Sequence, residues 1–161
     1  MKREDYISWD EYFMGVALLA AQRSKDPNTQ VGACIVNEEN RILSTGYNGF
    51  PYGCSDDSFP WDREGEQTKY PFVVHAELNA ILNAGGRSLA HSRIYVALFP
   101  CCECAKAIIQ AGIKEVIYLS DKYADTPSTR ASKRMLTSAG VTLFRFTPSR
   151  KELTLSFDTE K

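Results

Sequence analysis

Two short motifs carry the clearest chemistry in this sequence: His75-Ala76-Glu77, and Pro100-Cys101-Cys102-Glu103-Cys104 one strand further on. Zinc prefers nitrogen and sulfur ligands in tetrahedral array, and a catalytic zinc site takes three ligands from the protein while water fills the fourth position. His75, Cys101 and Cys104 meet that count. Bound zinc lowers the pKa of its water from 15.7 towards about 7, which supplies a nucleophile at neutral pH. Glu77, two residues after the histidine, can reach the same water without ligating the metal. It would take the water's proton and hand it on to the substrate and then to the leaving group.

Each motif read alone permits something plainer. A lone Cys-x-x-Cys also serves as a redox pair or as half of a structural zinc site, and His-x-Glu alone is a weaker signal still. A closed structural site needs a fourth ligand. His91 lies in an ordinary polar loop, Cys34 falls within an apolar run and reads as core, and Cys102 occupies an x position that points away when Cys101 and Cys104 point in. Cys54, in a long loop, remains as a candidate fourth ligand.

The elements that must position these groups follow from periodicity. Tyr12, Phe13, Val16, Leu19 and Ala20 give helical spacing over Trp9–Arg23, ending before Asp26-Pro27. Val31–Val36 and Ile42–Tyr47 are short apolar runs joined by the turn sequence Asn37-Glu38-Glu39-Asn40, which predicts a hairpin. From Asn48 to Phe72 periodicity disappears into Gly, Pro, Asp and aromatic residues, and so long a loop is usually functional. Leu78, Ile81 and Leu82 then resume a helical repeat that stops at Gly85-Gly86. The remaining chain reads as strand Arg93–Leu98, helix Cys102–Ala111, strand Lys114–Leu119, helix Ser128–Ala139 and strand Val141–Phe146. This alternation predicts an α/β fold, a three-layer α/β/α sandwich around a central mixed five-stranded sheet, formed by residues 1–161 as one domain. The polar tail after Pro148 is expected to be only partly ordered. His75 and Cys101 both fall at or just before helix starts, where the partial positive charge of the helix end favours thiolate over thiol.

Composition narrows the partners. Across 161 residues the formal net charge is -1, with 43% hydrophobic and 24% charged residues. That balance gives no broad positive field for a phosphate polymer, so we expect a small, single-phosphate partner and no nucleic acid. No apolar run approaches the roughly 20 residues of a membrane span, and Met1-Lys2-Arg3-Glu4-Asp5 lacks the apolar core of a secretory signal. We expect a cytoplasmic protein with no membrane partner, in which five reduced cysteines favour metal binding over a disulfide framework.

The two motifs in this order match the zinc nucleobase deaminase signature. The resemblance extends further: Arg23-Ser24-Lys25-Asp26-Pro27, Val31-Gly32-Ala33-Cys34-Ile35-Val36, Gly46-Tyr47-Asn48-Gly49-Phe50-Pro51, Gly53-Cys54-Ser55-Asp56-Asp57, Gln110-Ala111-Gly112-Ile113-Lys114 and Ser120-Asp121-Lys122-Tyr123 all resemble the deoxycytidylate (dCMP) deaminases. The resemblance implies hydrolysis of dCMP to dUMP and ammonia, which supplies dUMP for thymidylate synthesis. It also implies one catalytic Zn²⁺ per chain, activation by dCTP with Mg²⁺, inhibition by dTTP, and a homo-oligomer, a hexamer. The second, structural zinc of some members needs histidines absent here.

By the same resemblance, Asn48 binds the sugar hydroxyl, the backbone of Ala76 and the segment before Pro100 read the base edge, and Tyr123 covers the base. Read from its residue type alone, Asn48 is equally a turn residue before Gly49, and Tyr123 a half-buried surface tyrosine. Tyr123 follows a strand end, where ligand crevices of α/β sheets form. For the 5′-phosphate, the Ser24 hydroxyl and Lys25 ammonium are candidates, against a plainly solvated loop lysine. Within the long loop, Asp56 and Asp57 offer hard oxygens for Mg²⁺, and Gly46, Gly49 and Gly53 let backbone approach phosphates, which makes Gly49, Gly53, Cys54, Asp56 and Asp57 an effector-site expectation against an ordinary polar loop. Two other functions stay open: a polynucleotide cytosine or adenine deaminase, which needs a basic aromatic groove, and a non-catalytic zinc module, which needs four ligands and no Glu77.

Overall fold

Ser8 starts the first helix, α1 (Trp9–Ala21), with a capping box: its hydroxyl accepts from the Glu11 N–H while the Glu11 carboxylate accepts from the Ser8 N–H. In the computed structural model, which describes residues 1–160, the elements that follow are β1 (Gly32–Val36), β2 (Ile42–Tyr47), α2 (Ala76–Asn83), β3 (Arg93–Leu98), α3 (Cys102–Gln110), β4 (Glu115–Ser120), α4 (Pro127–Ser138) and β5 (Thr142–Arg145). Every element read from periodicity is present, with ends moved by one or two residues. The strands form one sheet in the order β2-β1-β3-β4-β5. β1 pairs antiparallel with both β2 and β3, whereas β3, β4 and β5 run parallel, so the sheet is mixed.

The two-residue alternation of strand side chains divides the core in two. Ala33, Ile35, Ile94, Val96, Val116 and Tyr118 face α2, α3 and α4, and pack with Ala76, Ala80, Ala105, Ile108 and Leu136. Cys34, Val36, Tyr95 and Ile117 face the other way and meet Phe13, Met14 and Ala17 of α1. The expected three layers are there, unevenly filled: one helix covers one face and three cover the other. Cys34 is core, as expected, and burial pushes its thiol up to about 12.

Two glycines set the distance between helices and sheet. A Cβ on Gly32 would lie 1.9 Å from the Ala17 carbonyl oxygen, and one on Gly46 would lie 2.3 Å from the Ala80 nitrogen. Gly46 therefore lets α2 lie directly on β2. Its missing side chain is used by the helix, which leaves no room at that position for a phosphate.

Beyond β5 no regular element follows, yet the start of the tail is tied down. The Ser149 N–H and hydroxyl both donate to Glu11 Oε1, at 3.1 and 2.5 Å, and Arg150 lies 3.6 Å from Glu11 Oε2. Among the described residues no helix is long and apolar enough to cross a membrane.

Candidate metal centre and substrate cavity

The carboxyl end of β3 and the N-termini of α2 and α3 meet at one point, and the chemistry is there. His75 is the N-cap of α2 and Cys101 the N-cap of α3, both in extended backbone conformation. N-cap side chains normally accept a hydrogen bond from the first turn, but neither does so here, which leaves the imidazole and thiol to face each other. Cys104 sits one turn into α3, buried. His75 Nδ1 lies 3.4 Å from Cys101 Sγ and 3.6 Å from Cys104 Sγ. Bonds of zinc length to nitrogen and sulfur at a tetrahedral angle place those atoms about 3.6 Å apart. The three side chains therefore fit a zinc ion, and among the described residues they are the one His/Cys/Asp/Glu group so arranged. Cys54 and Cys102 stand outside the group.

The protons of this cluster are set by its geometry. The Cys104 thiol bonded to Cys101, with His75 beside it, holds Cys101 down at about 4, whereas that same partnership and burial push Cys104 up. Bonding to Cys101, working against burial, raises His75. A coordinated metal deprotonates both thiols. Glu77, in the first turn of α2, is 5% exposed, and its Oε2 lies 3.6 Å from Cys104 Sγ. Burial, the largest influence, raises its carboxyl above the ordinary carboxylate range.

In front of the cluster opens a cavity of about 340 Å³, lined by His75, Ala76, Glu77 and Cys101 on the metal side. Leu98 and Phe99 supply the backbone before Pro100, while Tyr123, 45% exposed, stands at the opening after β4. Asn48 lines the opposite wall, but its amide is already engaged: Oδ1 accepts from the Val31 N–H, and Nδ2 donates to the Thr29 carbonyl and to Asp26. Its remaining capacity is a second lone pair on Oδ1.

Sequence reasoning missed several lining residues. Asp26 and Lys69 form an ion pair, both nearly fully buried, with Asp26 also accepting from the Asn28 and Thr29 amides. Burial opposes the Asp26 carboxylate, and the Lys69 bond and two amides outweigh it, so its carboxyl stays below the ordinary range. Arg63 lines the rim, its Nε donating to Tyr70 Oη at 3.2 Å. A cation in the middle of an aperiodic loop gives no local signal of where it will point.

Ser24 and Lys25 do not reach this cavity. The Ser24 hydroxyl accepts from the Asp26 N–H, and Lys25 pairs with Asp56 at 2.5 Å in a neighbouring depression. That depression, about 220 Å³, is lined by Arg23, Lys25, Tyr47, Asn48, Gly49, Gly53, Cys54 and Asp56, with the rings of Phe50, Tyr52 and Trp61. Asp57 is exposed and outside it. Asn48 belongs to both walls. The long loop between the two spaces is held by its own aromatic packing, with Phe50 against Trp61 at 4.1 Å and Phe59 against Phe72 at 5.2 Å.

Soft ligands around a candidate metal position, a buried carboxyl beside them and open space in front would suit metal-assisted attack by water. The family described as the cytidine and deoxycytidylate deaminase zinc-binding region matches residues 7–120, and the chain belongs to that family. A deoxycytidylate deaminase of Mus musculus is 58% identical over 98% of this chain and 90% of its own length. A probable deoxycytidylate deaminase of Drosophila melanogaster is also 58% identical, over 98% of this chain and 82% of its own. The dCMP deaminase of cyanophage S-TIM5, solved in complex with dCMP and dUMP, matches the fold with a TM-score of 0.68 at 30% identity, over 84% of this chain and 95% of that one.

Proposed function

We propose that this chain hydrolyses dCMP to dUMP and ammonia in the cytoplasm, supplying dUMP for thymidylate synthesis. The observation that carries the reading is Glu77, buried beside a three-ligand cluster that faces a cavity of mononucleotide scale. His75, Cys101 and Cys104 would hold zinc, which when bound would supply an acidified water. Glu77 would accept that water's first proton and deliver it to the ring nitrogen beside the amino-bearing carbon, then take the second proton from the hydroxyl added at that carbon and pass it to the amino group, which leaves as ammonia. Its raised affinity for a proton suits a group that must hold one and release it. The Ala76 and Phe99 backbone meets the base edge, Tyr123 covers the base, and Asn48 accepts from the sugar hydroxyl.

For the phosphate we favour Arg63, a rim cation with no carboxylate partner among the described residues. Lys25, with its Asp56 partner, suits the neighbouring depression. A polynucleotide needs a continuous basic groove, which a net charge of -1 and a cavity whose lysine is already paired do not favour. A closed structural zinc site gives Glu77 no task. Ammonia release from dCMP, deoxycytidine and single-stranded DNA, assayed side by side, should favour dCMP, and Arg63→Ala should narrow the margin over deoxycytidine. Equal use of dCMP and deoxycytidine by the wild type would exclude the phosphate reading.

We assign the second depression to a regulatory nucleotide: dCTP with Mg²⁺ activates and dTTP inhibits, in a hexamer. Support comes from Asn48, shared by both walls, and from Arg23, Lys25 and Asp56 grouped beside glycine backbone. A coupling of about 1–3 kcal/mol changes dCMP affinity some 5–150-fold. Sigmoidal dCMP kinetics should become hyperbolic with dCTP and Mg²⁺ and steepen with dTTP. Hyperbolic kinetics indifferent to both nucleotides would exclude the assignment.

A further inference from the structure

We propose that Ser128 and Ser132 of α4 are positioning residues for the metal centre, holding the Pro100–Cys102 turn so that Cys101 presents its sulfur to His75. The inference rests on the zinc reading above. At the start of α3 two demands on one residue conflict. The first N–H groups of a helix lack intrahelical partners, and the N-cap side chain ordinarily satisfies one of them. Here the N-cap is Cys101, whose sulfur faces His75 and makes no capping bond. One of these orphan groups is satisfied from another helix: the Cys102 N–H, at the first helical position, donates to Ser128 Oγ at 3.1 Å.

Four residues on, and so on the same face of α4, Ser132 is fully buried and donates its hydroxyl proton to the Pro100 carbonyl at 2.8 Å. One residue earlier, the Phe99 N–H donates to the Ser120 carbonyl at 2.8 Å. The turn is thus held at three successive points by β4 and α4, and Cys101 is the residue between the two serine contacts. Pro100 has no N–H of its own, so its carbonyl is its one backbone anchor, and Ser132 supplies the donor. Ser132 and Ser128 touch neither the cavity nor the ligand atoms. What they fix is the direction of Cα–Cβ at Cys101 and the set of the Phe99 backbone along the cavity wall.

Supporting contacts behind metal ligands typically change metal affinity or activity by 10–100-fold when removed. The test uses the full chain loaded with zinc: wild type, Ser128→Ala, Ser128→Thr and Ser132→Ala. The readouts are the chelator concentration that removes half the zinc and, after cobalt exchange, the thiolate-to-cobalt absorption band. Ser128→Ala and Ser132→Ala should release zinc at about 10–100-fold lower chelator and shift the cobalt band, and Ser128→Thr, which keeps the hydroxyl, should restore both. Ser128 is only partly buried, so Ser128→Ala and its threonine rescue decide the matter if Ser132→Ala does not fold. Wild-type protein that takes up no zinc overturns the metal reading and this proposal together. Wild-type zinc binding with the same midpoint and band in the alanine variants overturns the positioning role alone, as does a lower melting temperature unaccompanied by easier zinc release.

Discussion

A buried carboxyl is costly unless it is hydrogen-bonded or protonated, and Glu77 is placed where a proton has a use: 3.6 Å from the Cys104 thiol, in the first turn of the helix that follows His75. In the proposed reading His75, Cys101 and Cys104 differ in kind from Glu77, because they would hold the metal and leave the proton to it. His75→Ala or Cys101→Ala should therefore abolish zinc retention along with turnover, measured as metal content after gel filtration; either variant keeping one zinc per chain at full activity would refute the ligand set. All four residues were legible because each motif lies within a few residues and falls at a helix start. Asp26, Arg63 and Lys69 were not singled out for the site, since what brings them to the cavity is contact across the chain. Lys69 reaches Asp26 over 43 positions, which no local pattern records.

The long loop adds its own contacts to those of the sheet. Residues 48–72 have no regular structure, but the Lys69–Asp26 pair binds the loop to the turn after α1, and the Phe50, Phe59, Trp61 and Phe72 rings pack against one another within it. Removing one partner of a buried pair strands the other charge, at about 3–5 kcal/mol. Lys69→Ala should destabilise the fold on that scale in urea unfolding, with Lys69→Ala/Asp26→Asn losing less than Lys69→Ala alone. A double variant weaker than the single would show that the pair is not what holds the loop. Helix and strand boundaries were readable from periodicity and Gly stops to within one or two residues. The loop was recognisable only as an absence of period, and its aromatic interior was visible as composition but not as contact. Gly46 illustrates the same limit: its sequence suggests freedom for a ligand, and the structure spends it on the approach of α2.

Across the whole molecule, the tail and α1 are joined through one carboxylate. The Ser149 hydroxyl above all, then the Ser8 amide, hold Glu11 down to about 2 from its ordinary 4.5. A depressed carboxyl stabilises the fold above its unfolded value and loses that contribution as pH falls through the folded value. Wild type should therefore lose melting temperature between about pH 4.5 and 2 relative to Glu11→Gln, the gap being widest above pH 5 and closed near pH 2; parallel curves would show that Glu11 does not tether the tail. The three layers followed from alternating elements, whereas the single helix on one face and the tail fastened beside it depend on Gly32 and Glu11, whose partners lie far along the chain. All of this serves one centre, where sheet, helix starts and loop converge on His75, Glu77, Cys101 and Cys104. The decisive measurement is dCMP turnover and zinc content determined together on wild type and Glu77→Gln. The wild type should release ammonia and dUMP with about one zinc per chain, and Glu77→Gln should keep that zinc while turnover falls by ~10²–10⁴-fold; near-wild-type turnover in Glu77→Gln, or no dUMP from the zinc-loaded wild type, would contradict the account.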